Sequence, residues 1–289
     1  MPKTQIKEFE NHHNIKIKEN WNDGEDCVLN LIKLRAKIQL IMSNLKNDDF
    51  HKYPTVGIIL QLTERIYEQI TGSISCVCTK NHSSSEVLSR TAIESSVNIL
   101  LMLKGDTESK TFSWLKKYIS DDINHIQNWE DSLKNDEEKR IHLPRITTRR
   151  ELHTLKKEFV NTYIEQVKEV LEIDETYTLP RKYLKRFQEV DEEITYHTVY
   201  SRLSATTHLN AEDTISYMMA KIYGDEQQLQ IGLEHIAFSE FMLIYSLLFY
   251  TKIVDKFILK YSSKEDDEIT KIEENYLSVM NKISETQNW

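Results

Sequence analysis
A chain of 289 residues is long enough to bury a substantial core. It contains only 6 glycines and 4 prolines, too few turn signals for a many-stranded β fold. Its net charge of −9 makes it a poor generic partner for nucleic-acid phosphates, and its three cysteines, Cys27, Cys76 and Cys78, form neither a metal set nor an even disulfide framework, which points to a reducing cytosol.

Residues 1–22 are polar, lack an apolar signal core, and read as a flexible N-terminal arm with a short turn of helix at most. From residue 23 to 289 the pattern predicts a single all-α helical domain. Val28, Leu31, Ile32, Ile38, Met42 and Leu45 give a helical period from Cys27, which Asn47-Asp-Asp ends. Pro54 opens the next helix, with Ile59, Leu62, Ile66 and Ile70 on one face. His82-Ser-Ser-Ser reads as a turn whose serines cap a third helix over about 85–104. On it Arg90 and Glu94 lie four apart, and Val87, Val97 and Leu101 share their face. The ion pair is therefore expected on the inward side, where a charge pair is costly to assemble and costly to break.

Gly105-Asp-Thr breaks the chain, and an amphipathic helix over about 108–133 comes next, with Phe112, Leu115, Ile119, Ile126 and Trp129. Residues 134–150, which include Pro144, read as a charged connection, acidic first and then basic. A helix over about 151–172 separates its basic residues from a second basic cluster, Arg181 to Arg186. These clusters are either a solvated, charge-compensated surface or a rim that attracts phosphate. A long helix over about 191–223 stacks Tyr196, Tyr200, Ser204 and His208 at four-residue spacing, continued by Ala211, Ile215, Met218 and Ile222, a row expected to look inward. The helix after it, about 229–261, is apolar nearly all round between Phe241 and Tyr250 and should be central. The run from Ile236 to Tyr250 contains Glu240 and is too short to cross a membrane, so no membrane is expected. A last charged helix runs to about Ser284. The expected fold is a multi-helix bundle around an apolar C-terminal helix.

For chemistry, the chain has no Gly-rich phosphate loop, no His-Glu-x-x-His zinc helix and no Glu-x-x-His di-iron pair, so neither a metal nor a cofactor is expected. Ser204 and His208 lack the strand–turn–helix elbow of a serine hydrolase. What remains is an Arg–His–carboxylate set. His is the natural proton shuttle near neutral pH, and Arg binds phosphate in a fork. Six residues separate Arg202 from His208, about 120° around a helix, so the two meet only around a shared substrate or across a two-fold interface.

Arg202, five intervening residues and His208, late in an all-helical chain, resemble the Arg-x(4–6)-His motif of the HEPN superfamily. That resemblance implies an up-and-down helical packing, a homodimer, and a metal-independent RNase of a toxin or anti-phage system. It implies His208 as acid/base, Arg202 as phosphate clamp, and Glu94 orienting His208 or pairing with Arg90. Tyr200 and Ser204 would be supporting donors and Arg90 a binding residue. Leu203 departs from the Asn, Asp or His that typically comes after the motif Arg in active nucleases. Over roughly residues 50–260 the chain also resembles an uncharacterised bacterial helical family with an Arg-x3-Glu helix, here Arg90 and Glu94. A later Tyr-x3-Ser-x3-His helix, here Tyr200, Ser204 and His208, completes that pattern. The alternatives are a non-catalytic helical protein that binds an antitoxin or phage component, a sensor of a small anionic ligand or nucleotide held by Arg90 and His208, and a buried structural network joining two helices.

Overall fold
The computed structural model describes residues 2–201, 215, 218, 221, 222, 224–262 and 265–287. Among them every regular element is helical, as the scarcity of turn residues requires. None of the described helices is long and apolar enough to cross a membrane. The chain forms two compact units, one of residues 1–45, 57–103 and 182–289, the other of residues 46–56 and 104–181.

The first unit begins with α1 (Pro2–His13) and α2 (Ile17–Asn20). The expected loose arm is therefore corrected to helix. Pro2 stands at the first helical position, where its missing N–H costs nothing. Ile6 and Phe9, three apart, are buried, as are Ile15, Ile17 and Trp21. The Glu10 carboxylate accepts the Ile17 backbone N–H at 2.9 Å and ties the two helices together. A few well-spaced anchors are enough to hold a segment whose composition is otherwise polar.

Next come α3 (Gly24–Asn44), α5 (Val56–Cys78) and α6 (His82–Leu103). On α5 the predicted face is buried at Ile59, Ile66 and Ile70, and Ile74 continues it. The Ser73 hydroxyl on α5 meets Ser85 at 2.7 Å and Ser89 at 2.8 Å on α6, a buried hydroxyl cluster in which each polar group has a partner. Lys80, between α5 and α6, has φ of 59°, and the Asn81 N–H reaches back to the Cys76 carbonyl at 2.8 Å, a left-handed stop of the Schellman kind. Helix α6 accordingly starts at His82 rather than after the serines.

The remaining elements of this unit are α9 (Tyr183–Glu189), α10 (Glu193–Thr195) with a π turn over Tyr196–Tyr200, α11 (Asp225–Ser262) and α12 (Asp267–Gln287). Helix α11 is central, as its all-round apolarity predicts. Met242, Leu243, Ile244, Leu247, Tyr250 and Ile253 are fully buried, and α6, α12 and α3 pack along it. The Tyr276 hydroxyl of α12 donates to the Cys27 carbonyl of α3 at 3.0 Å inside this core. The row Ile215, Met218 and Ile222, expected inward, is exposed by 54 %, 57 % and 76 %, so that reading is corrected.

The second unit comprises α4 (Asn47–Lys52), α7 (Thr107–Asp131) and α8 (Asp136–Lys168). Residues 136–150, expected as a connection, are the first half of α8. Asn135 caps it, accepting the Glu138 N–H at 2.9 Å, and the Glu138 carboxylate accepts the Lys134 N–H at 2.7 Å. Pro144 lies on the exposed side, where the lost backbone bond is least costly. The α7–α8 pair closes over Phe112, Ile119, Val160, Ile164 and Val167. Beside this core the buried Asp122 carboxylate holds Arg149 at 3.1 Å and His153 at 3.1 Å.

Candidate functional site
Three of the six predicted site residues come together in the first unit. Helix α6 places Arg90 and Glu94 one turn apart, and Arg90 Nε donates to Glu94 Oε1 at 2.9 Å. Their side chains are 17 % and 20 % exposed, so the pair is largely, not wholly, withdrawn from water. Val97 and Leu101 on the same side are buried, as expected, whereas Val87 is 45 % exposed, a correction to the predicted stripe.

Tyr200 closes the set from the π turn. The Ser201 N–H reaches the Tyr196 carbonyl, the i to i+5 bond that defines such a turn. An Arg90 terminal nitrogen lies 3.5 Å from the Tyr200 hydroxyl, and the guanidinium carbon is 5.2 Å from the ring centroid. Tyr200 packs against Phe187 at 5.3 Å, Tyr183 at 5.5 Å and Tyr196 at 5.2 Å. Burial pushes its phenol up to about 12, with Glu94 adding to that and Arg90 pulling the other way. Burial and then Glu94 also raise the Tyr183 phenol. Burial opposes the Arg90 charge, but the bonds to Tyr200 and Glu94 outweigh it and hold Arg90 above the ordinary guanidinium range. Glu94 is thus a carboxylate faced by one guanidinium and two neutral phenols, an arrangement that offsets the cost of withdrawing its charge from water.

Tyr183 and Arg186, which sequence reading did not assign to the site, belong to its surroundings. Arg186 is 6 % exposed, donates to Asn98 Oδ1 at 2.8 Å, and stacks 4.7 Å from the Tyr183 centroid. The basic spacing Arg181 to Arg186 is visible in sequence, but its inward turn at Arg186 is not, because α9 is too short to show a period. In the other basic cluster three arginines are engaged: Arg140 pairs with Glu137 at 2.7 Å, Arg149 with Asp122, and Arg150 with Glu130. These contacts favour the charge-compensated reading of that segment over a phosphate-attracting rim.

Arg202, Ser204 and His208 lie outside the described residues. The chain enters that stretch directly from Tyr200 and Ser201. Cys27, Cys76 and Cys78 are free thiols, and burial pushes the Cys78 thiol up to about 11.

No curated protein and no solved structure matches the chain. Residues 56–226 match the family described as "Family of unknown function (DUF5677)". The match spans both segments on which the helical-family resemblance rests, the Arg90–Glu94 helix and the stretch from Tyr200 to His208. The chain belongs to this family of unknown function, DUF5677.

Proposed function
We propose that the protein is a metal-independent endoribonuclease of a bacterial toxin or anti-phage defence system, acting in the cytosol as a homodimer. His208 and Arg202 are the reacting pair. His208 takes the proton of a ribose 2′-hydroxyl, and the 2′-oxygen attacks phosphorus. The bond from phosphorus to the 5′-oxygen breaks, and that oxygen takes a proton from solvent, leaving a 2′,3′-cyclic phosphate and a 5′-hydroxyl. Arg202 neutralises charge on the phosphoryl oxygens. Arg90, Glu94 and Tyr200 are positioning residues, and Ser204 is a hydroxyl donor beside the pair.

The observation that carries this reading is the anchoring of Tyr200 by Arg90 and Glu94 immediately ahead of the segment that bears Arg202, Ser204 and His208. A charged pair withdrawn from water is an expensive way to fix a helix unless the adjoining residues have to be held in place. Purified protein incubated with RNA in EDTA should release cyclic-phosphate ends, and His208→Ala should lose at least about 100-fold in rate. RNA left intact by the wild type, where a control RNase cuts, would overturn the assignment.

A second reading, a non-catalytic helical protein that binds an antitoxin or phage component, draws support from Leu203 and from exposed apolar side chains at Ile215, Met218, Ile222, Leu229 and Leu233. Recovery of one defined protein partner, with full biological function in His208→Ala, would favour it.

A further inference from the structure
The second unit contains a cleft of about 300 Å³ beside α7, at the lower end of the volumes small ligands occupy. One wall is an arch of chain between two fixed points. The Asp174 N–H donates to the Ser109 hydroxyl at 2.8 Å and the Leu179 N–H donates to the Ser113 hydroxyl at 2.9 Å. Ser109 and Ser113 are one turn apart on α7, so residues 175–178 must bow outward between the two tethers. Leu179 is buried and pins the far end. The cleft is therefore formed before any ligand arrives, which removes an ordering cost from binding.

Its charges point to the ligand class. Glu175 is held by Lys116 at 3.0 Å and by Lys168, and these bonds keep its carboxyl down at about 2. Asp121 is paired with Lys117 at 2.5 Å. Asp174 accepts the Thr176 N–H at 2.8 Å and hydroxyl at 2.6 Å. Each acid lining the cleft is thus already engaged. Arg181 also lines it, is exposed, and has no carboxylate partner among the described residues. The half-buried Tyr177 supplies apolar surface in the same lining, whereas Phe112, also there, is buried.

We propose that this cleft binds a small organic phosphate or carboxylate, its anionic head on the Arg181 guanidinium and its apolar body against Tyr177. A guanidinium with free donors takes either head group in a fork, and two of the three acids in the lining, Glu175 and Asp121, are already matched by lysines. The site is separate from Arg202 and His208 in the chain and does not depend on their chemistry.

Isothermal titration of the full chain with phenyl phosphate, benzoate, inorganic phosphate and benzyl alcohol tests this. Phenyl phosphate or benzoate should bind saturably with Kd below about 1 mM, and inorganic phosphate and benzyl alcohol at least about tenfold more weakly. Arg181→Ala should weaken binding by at least about tenfold, Arg140→Ala should leave it unchanged, and His208→Ala should bind as the wild type does. Absence of saturable binding by both aromatic anions up to about 10 mM would overturn the proposal. So would wild-type affinity in Arg181→Ala, or inorganic phosphate binding as tightly as phenyl phosphate. Because Arg181 is exposed and has no ion pair among the described residues, its truncation should leave the fold intact and the readout clean.

Discussion

Arg90 and Tyr200, 110 residues apart in sequence, meet with the guanidinium 5.2 Å from the ring centroid and a nitrogen 3.5 Å from the hydroxyl. Glu94 is the acceptor that makes this contact stable. Glu94→Ala would leave Arg90 charged, largely withdrawn from water and short of its main partner. We expect a loss of about 1–3 kcal/mol in urea unfolding, less than for a fully buried pair because both side chains keep some exposure. Glu94→Gln, which keeps an acceptor oxygen, should lose less than Glu94→Ala. An unchanged denaturation midpoint in Glu94→Ala would show the pair to be energetically idle.

Tyr200 should titrate late. With its phenol raised to about 12 from an ordinary value of 10, the folded state keeps a proton that the unfolded state has lost. Its contribution to stability is therefore complete below pH 10 and disappears as pH rises through about 12. Tyr200→Phe should flatten this alkaline limb, measured by thermal melts across that range. A limb equally steep in Tyr200→Phe would place the titrating group elsewhere.

Glu240 gives the opposite end of the scale. Burial, with Asp23 adding to it, pushes this carboxyl of α11 up to about 7 from 4.5. The folded state binds its proton more tightly than the unfolded state, so stability falls as pH rises from 4.5 through about 7. Glu240→Gln should remove that slope and stabilise the protein at pH 8 by roughly 1–2 kcal/mol. Equal melting temperatures for the two proteins at pH 8 would contradict it.

Gly24 is required by contact rather than by backbone angle. A Cβ there would lie 2.6 Å from Ile17 Cγ2 and 2.6 Å from Trp21 Cε3, both side chains of the buried N-terminal segment. Gly24→Ala should destabilise by about 1–3 kcal/mol through overpacking, despite alanine's better helix propensity. Chemical denaturation measures it, and a stabilised variant would mean that the N-terminal helices do not pack on α3.

Much of the helical layout is readable because the relevant residues recur with the right period. Ile59, Ile66 and Ile70 mark α5, and the unbroken apolar run from Phe241 to Tyr250 marks α11 as central. Where the pattern misleads, the deciding term is not periodic. Two anchors, Ile6 and Phe9, hold α1 in a polar segment. A cap at Asn135 starts α8 ahead of Pro144, which looks like a break. Ile215, Met218 and Ile222 keep a helical period yet face solvent, since a period fixes a common side and not what covers it. At the site, the i,i+4 relation of Arg90 and Glu94 is legible, whereas their meeting with Tyr200 rests on chemistry and not on spacing. Tyr183 and Arg186 escape notice because a seven-residue helix carries too short a pattern to assign a side.

The π turn at Tyr196–Tyr200 governs how this segment tolerates change. Such a turn accommodates one residue more than an α-helix would. Deleting a single residue between Tyr196 and Tyr200 would let the backbone relax into ordinary helix at little cost and keep Tyr200 close to its present side, whereas an added residue would turn it by about 100° away from the Arg90 guanidinium. Gain of one codon here would disarm the anchor while leaving helical content intact, a lesion invisible to circular dichroism.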